Sequence, residues 1–235
     1  MNILTPEMMG KCDQETIESG YPEILLMETA AYGTAESADK IIKKEILGKV
    51  SLNQTEHKEI NIIVLVGKGN NGGDGLAAAR ILKNWGYYEF EDLDRNKFLK
   101  LLEKSDLIID SLLGTGIKGE LRGNSKKIIS VINQDLNKKP LMLAVDIPSG
   151  INGKDGGVAG MALKADYTVT MAAYKRGLLL YPGRDYTGQV KVINIGITKE
   201  TIKKNSDNLK VFNQAEAVKL LPARINDGHK GSFGK

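Results

Sequence analysis

The chain has one cysteine, Cys12, and two histidines, His57 and His229, in 235 residues. A single cysteine permits no internal disulfide and suits a reducing compartment. Cys12 reads as a helix residue rather than a reactive thiol. Without a Cys/His cluster there is no ligand supply for a zinc centre. No Gly-x-Ser-x-Gly elbow or Ser/His/Asp set is visible. Long apolar runs are missing too: the longest are about six residues, against the roughly 20 that cross a bilayer. The opening Met1–Glu7 carries no basic segment and no secretory core. These absences predict a cytoplasmic protein with no membrane partner.

A basic body is lacking as well. Net charge is +4, but residues 201–235 hold seven Lys/Arg and three acids, so the excess lies there and residues 1–200 are neutral. A nucleic-acid binder carries its basic patch on the folded body, so no nucleic-acid partner is expected. With 41% hydrophobic and 26% charged residues, the composition is that of a globular protein with one large domain.

What stands out is the loop Gly67-Lys68-Gly69-Asn70-Asn71-Gly72-Gly73-Asp74-Gly75, between the apolar run Ile62–Val66 and the segment Leu76–Leu82. Strand, glycine turn and helix follow in that order. Glycines let the backbone approach a ligand closely, and a helix N-terminus attracts anions. Gly67, Gly69 and Gly72 satisfy the dinucleotide fingerprint G-x-G-x-x-G. An ordinary dehydrogenase is disfavoured, because Asp74 would meet a pyrophosphate with like charge and no good strand carries a ribose-binding acid. Glu89 and Glu91 are the available acids, in a poor strand sequence.

The rest of the chain reads as α/β. Thr5-Pro6-Glu7 starts a helix that runs to about Glu18 and stops at Gly20. A second helix follows Tyr21-Pro22-Glu23, with Met27, Ala31, Ala35, Ala38 and Ile42 on one stripe. These two helices should cover a sheet face or form a subunit contact. Strands are expected at 61–66, 107–112, 141–145, 167–172 and 189–195, and helices at 74–85, 97–104 and 124–135. Runs apolar on both faces, such as Leu107-Ile108-Ile109, belong inside a parallel sheet with helices on both sides. The fold class is therefore α/β, three-layered, with a mostly parallel central sheet and two N-terminal helices. Residues 86–106 are short for a strand, a connection and a helix, so a second strand there should be reduced unless a segment is absent from the sequence.

Ligands of such sheets bind beyond the carboxyl ends of the strands, and the polar residues gather there. Asp110 ends one strand and is followed by Gly114–Glu120; Asp146 ends the next; Lys175 and Arg176 follow the fourth. Asp146 and Lys175 suit a general acid/base pair, or a salt bridge with no catalytic duty. Asn71, Asp110 and Ser149 offer oxygen donors from three loops, which suits a hard cation.

Gly-Asn-Asn-Gly-Gly-Asp-Gly at 69–75, Asp-x-Leu-Leu-Gly-Thr-Gly at 110–116, Val-Asp-Ile-Pro-Ser-Gly at 145–150 and Thr-Val-Thr with Lys-x-Gly at 168–177 closely resemble the YjeF N-terminal domain family, the NAD(P)HX epimerases. The resemblance covers about residues 5–220. It implies a Rossmann-like domain that interconverts the R and S epimers of NADHX and NADPHX, the hydrated forms of NADH and NADPH, so that a partner dehydratase can repair the S form. By the same resemblance Asn70, Asn71, Gly72, Gly73 and Asp74, with Gly114, Thr115, Gly116, Ile117, Lys118, Gly119 and Glu120 and with Asp146, would hold the dinucleotide. Asn71, Asp110 and Ser149 would bind potassium (K+), and the family tends to form homodimers. Arg224–Lys235 resembles the opening of an NAD(P)HX dehydratase domain. This divides the chain into an epimerase domain at 1–220 and a linker with the start of a fused dehydratase at 221–235. The alternative is a non-catalytic nucleotide-binding or scaffold module of the same fold, which would have no need of the polar loop, Asp146 and Lys175 together.

Overall fold

A computed structural model describes residues 1–49, 59–85, 95–117, 119–134, 136, 139–207, 209–212, 214–221 and 231. The chain opens with a two-residue strand β1 (Ile3–Leu4), then helices α1 (Pro6–Glu18) and α2 (Glu23–Ile41). Alternation follows: β2 (Ile62–Val66), α3 (Asn70–Asn84), α4 (Arg95–Lys104), β3 (Leu107–Ser111), α5 (Gly123–Gln134) and β4 (Leu141–Val145). Then come β5 (Tyr167–Met171), β6 (Tyr174–Lys175), β7 (Gln189–Ile193), α6 (Lys199–Lys204) and α7 (Gln214–Leu220).

The central sheet has five strands in the order β2-β3-β4-β5-β7, and every neighbouring pair is parallel. Alternate strand residues serve opposite faces. Ile62, Leu107, Ile109, Leu143, Val145, Val169 and Met171 join buried side chains of α1, α2 and α3 in one core. Ile63, Leu65, Ile108, Met142 and Ala144 meet Phe98 and Leu102 of α4 and Ile129 and Ile132 of α5 in the other. This is the three-layer α/β arrangement read from the sequence, and the two N-terminal helices cover a sheet face.

Local chemistry explains the helix ends. The Thr5 side chain accepts a hydrogen bond from the Met8 N–H, with Pro6 in the first turn. Gly20, at φ 98°, ends the turn after α1. Of the expected stripe, Ala31, Ala35 and Ala38 of α2 and Ile42 just beyond it are buried, while Met27 is partly buried; Ala31 packs with Ala77 and Ala78 of α3. Small side chains there let the two helices approach closely.

Three features depart from the sequence expectations. Helix α3 begins at Asn70 rather than 74, so the polar loop is itself the first turn of the helix. Gly and Asn are poor helix formers, but tertiary contact overrides propensity: a Cβ on Gly72 would lie 1.9 Å from the Gly67 carbonyl oxygen, and one on Gly67 would lie 1.9 Å from that of Leu112. Strands β1 and β6 pair in parallel as a separate small sheet, with Leu4 opposite Lys175; two residues are too few for a periodic signal. Helices α6 and α7 carry no strong apolar stripe and had no counterpart in the sequence reading. The segment with Glu89 and Glu91, Lys118, both histidines and most of 221–235 lie outside the described residues. Among the described residues no helix is long and apolar enough to cross a membrane.

Candidate functional site

Parallel pairing puts the carboxyl ends of all five strands on one edge. Asp146 follows β4 there, and its backbone is unusual: φ is 64°, the left-handed region, held by an N–H bond to the Val169 carbonyl at 2.7 Å. A non-glycine residue in that region is uncommon, and the strain costs roughly 1–3 kcal/mol. The result is a fixed carboxylate. Its Oδ1 accepts from Thr170 Oγ1 at 3.0 Å and from the Met171 N–H at 3.2 Å, and pairs with Lys175 Nζ at 2.5 Å. Lys175 is 1% exposed and also donates to the Met171 carbonyl at 2.8 Å. A buried ammonium is costly unless paired and hydrogen-bonded, so Lys175 locks Asp146 in place. The three donors crowd one oxygen, and none of these bonds engages Oδ2.

Two more acids act on this pair. Burial pushes Asp74 of α3 up to about 7; Asp146 and Asp13 raise it further and Lys175 opposes them. Burial pushes Asp13 of α1 up to about 6, opposed by Lys175 and reinforced by Asp146. Lys175 makes its ion pair with Asp146, and its charge opposes the rise at Asp13 and Asp74. Asp74 was read from the sequence as a dinucleotide contact, while Asp13 was missed. It stands beside buried Cys12, among Lys11, Gln14 and Glu15, and closes no apolar run. Cys12 is itself buried, and burial pushes its thiol up to about 11, which makes it inert.

The oxygen donors converge beside this cluster. Asp110 is fully buried. Its Oδ2 accepts from the Ser149 N–H at 2.7 Å, and its Oδ1 from Ser149 Oγ at 2.6 Å and the Leu112 N–H at 3.3 Å. Burial pushes it up to about 6, against the hydrogen bonds from Ser149 and Leu112. Ser149 Oγ accepts from the Leu113 N–H at 2.9 Å, and the Leu113 carbonyl accepts from Asn71 Nδ2 at 3.0 Å. One hydrogen-bonded chain thus links Asp110, Ser149, Leu113 and Asn71. Among the described residues, Asn71 Oδ1 is buried with no hydrogen-bond partner. A buried acceptor left unmade costs about 1–3 kcal/mol, and a cation is what a set of carboxylate, hydroxyl and amide oxygens can satisfy. Oxygen donors of this kind suit a hard ion.

The second loop reaches the same place only in part. Gly114 abuts Asn71, where an added Cβ would lie 3.0 Å from the Asn71 Cβ, and Thr115 faces Gly153. Ile117 packs on the second core, while Gly116, Gly119 and Glu120 are exposed. Arg176, beside Lys175 in sequence, turns its guanidinium to the Lys154 carbonyl at 2.8 Å.

Fold and site together define a Rossmann-like α/β domain with a fixed acid–lysine pair and an oxygen cluster at the carboxyl edge of its sheet. The family model for the YjeF-related protein N-terminus matches residues 23–90 and 87–177. The chain belongs to that family. An NAD(P)H-hydrate epimerase of Elusimicrobium minutum is 34% identical over 87% of this chain and 100% of its own length. A bifunctional NAD(P)H-hydrate repair enzyme Nnr of Moorella thermoacetica is 31% identical over 100% of this chain. This chain spans about half the length of that relative, 48%. The crystal structure of yeast ynu0 shares the fold, with a TM-score of 0.66 and 20% identity over 92% of this chain and 98% of the yeast one.

Proposed function

We propose that the chain is an NAD(P)H-hydrate epimerase, interconverting the R and S forms of NADHX and NADPHX. The observation that carries this reading is the Asp146 carboxylate, clamped on one oxygen by Lys175, Thr170 and Met171 at the edge where ligands of parallel sheets bind. The hydrated ring carbon bears a hydroxyl next to the ring nitrogen. Whether it inverts by loss and return of that oxygen or by reversible ring opening, a proton must move at the oxygen or the nitrogen. Asp146 accepts and returns that proton through Oδ2. Lys175 holds the carboxylate oriented between turnovers, so little reorganisation is needed at the moment of transfer.

The helix α3 N-terminus, with Asn70, Asn71, Gly72, Gly73 and Asp74, the loop 114–120 and Asp146 hold the dinucleotide, whose phosphates suit a helix N-terminus. Asn71, Asp110 and Ser149 would hold potassium, whose charge would steady the loop after β3 and offset the anionic nucleotide. A cytoplasmic homodimer, with residues 1–220 as the epimerase domain and a dehydratase domain fused beyond 221, is consistent with the single cysteine and with the bifunctional relatives. The test is to incubate the purified chain with R-NADPHX and follow the S form by chromatography, subtracting spontaneous conversion. Enzyme-dependent approach to the equilibrium mixture is expected; no acceleration over background contradicts the reading.

A further inference from the structure

Lys175 is the largest fully buried side chain among the described residues, yet it stands on a weak piece of backbone. Strand β6 is two residues long and lies outside the central sheet. The turn that leads into it is strained. Ala172, at φ 61°, is one of only two non-glycine residues in the left-handed region among the described residues, and Asp146 is the other. Both partners of the ion pair therefore depend on backbone that persists only where the surroundings over-determine it.

For Asp146 that support comes from the central sheet, through its N–H bond to the Val169 carbonyl. For Lys175 the strand partner is β1, whose Leu4 lies opposite it. Strand β1 is itself only two residues long, and a two-stranded ribbon is marginal in water. A third strand comes from the far end of the chain. The Ile3 N–H donates to the Leu209 carbonyl at 3.0 Å, and the Val211 N–H donates to the Met1 carbonyl at 2.8 Å. The terminal ammonium donates to the Val211 carbonyl at 2.8 Å. Between them Asn2 and Lys210 form an antiparallel pair. Strand β1 is thus the middle of a ribbon, with β6 on one edge and residues 209–211 on the other. The C-terminal segment is anchored in turn on α1, where Lys204 Nζ meets Glu15 Oε1 at 3.0 Å.

We propose that β1 and residues 209–211 form a clasp that positions Lys175 for proton transfer, with the Ile3 N–H as its central bond. The proposal rests on the epimerase reading above. Ile3 and Leu209 are positioning residues, which act on the reaction through Lys175. When the outer edge of β1 is released, β6 loses its support. The ammonium then draws away from Asp146 Oδ1, and the carboxylate loses its orientation. A misplacement of about 1 Å can cost roughly 10²-fold in rate, so turnover should suffer while substrate binding is spared.

The test is Ile3→Pro, which removes that N–H. The kcat for conversion of R-NADPHX should fall about 10–10²-fold, with KM little changed. A crystal structure of the variant should show Lys175 Nζ withdrawn from Asp146 Oδ1, with the bonds between Asp110 and Ser149 intact. Ile3→Val, which keeps the N–H, should restore the wild-type kcat. Val211→Pro removes only the outer bond to the Met1 carbonyl and should give a smaller loss of the same kind. It carries the test if thermal melts show Ile3→Pro to be unfolded. A near-wild-type kcat in the proline variants, or a loss of rate with the Lys175–Asp146 contact unchanged, overturns the clasp while leaving the epimerase reading standing. A wild-type protein without epimerase activity overturns both.

Discussion

Asp146 is where residue chemistry decides most. Its backbone lies in the left-handed region at φ 64°, uncommon for a residue other than glycine. Asp146→Asn keeps the side-chain shape but cannot accept the proton, so turnover should drop by about 10²–10⁴-fold with the fold intact; near-wild-type kcat at saturating substrate would reduce Asp146 to a ligand. Lys175→Met removes the cation from a site with almost no water access and leaves Asp146 Oδ1 without its ion pair, and should lower the rate. Asp74 offers a test on stability. Its folded pKa is raised, to about 7, so the protonated form is the one the fold favours. The contribution is fully present below the unfolded pKa of about 3.9 and is lost as pH rises towards about 7. Asp74→Asn should therefore melt above wild type by a margin that widens from pH 4 to pH 7 and then levels, at roughly 2–4 °C for each kcal/mol in a protein of this size. A margin independent of pH in calorimetry contradicts the burial assigned to this carboxyl. At this scale Asp110, Asp146 and Lys175 were legible because each closes or follows an apolar run. Asp13 was not, because it stands among Lys11, Gln14 and Glu15 and neither closes nor follows an apolar run.

Among the elements, α3 matters most, because its first turn is built from the glycine loop. The fingerprint glycines are not equivalent. Gly67 and Gly72 are pinned by backbone oxygens that an added Cβ would approach to 1.9 Å, whereas Gly69 has open space. Gly67→Ala must push the start of α3 away from Leu112 and should cost at least about 1–3 kcal/mol, the usual range for overpacking; Gly69→Ala should cost much less. Urea unfolding of the two variants checks this, and equal costs would contradict the close approach. The order of strands and helices was readable from apolar runs and caps. The start of α3 was not, because a packing contact with the loop after β3 overrides the poor helix propensity of Asn70–Gly73. The pairing of β1 with β6 was hidden for a different reason: two residues cannot display a period, yet that pairing sets Lys175 in its buried position.

At the scale of the whole molecule, the parallel sheet brings Asp110 and Asp146 to neighbouring strand ends, and the bonds of Ser149 to Asp110 tie the loop after Asp146 to β3. If Asn71, Asp110 and Ser149 hold potassium, replacing potassium with tetramethylammonium should weaken NADP+ binding, and Asp110→Ala should abolish that dependence while lowering affinity. Crystals grown with rubidium should place the ion beside Asn71 Oδ1; an ion elsewhere, or affinity indifferent to potassium, contradicts the site. The family was legible because four short motifs fall in order at four strand ends, while the oligomeric state depends on surfaces that leave no such periodic mark. The measurement that bears most directly on the central claim is a paired time course, wild type against Asp146→Asn, for purified R-NADPHX converting to the S form in potassium buffer, with the uncatalysed rate subtracted. The account predicts rapid conversion by wild type and a rate near background for the variant. Equal conversion by both proteins, or none above background by either, would contradict it.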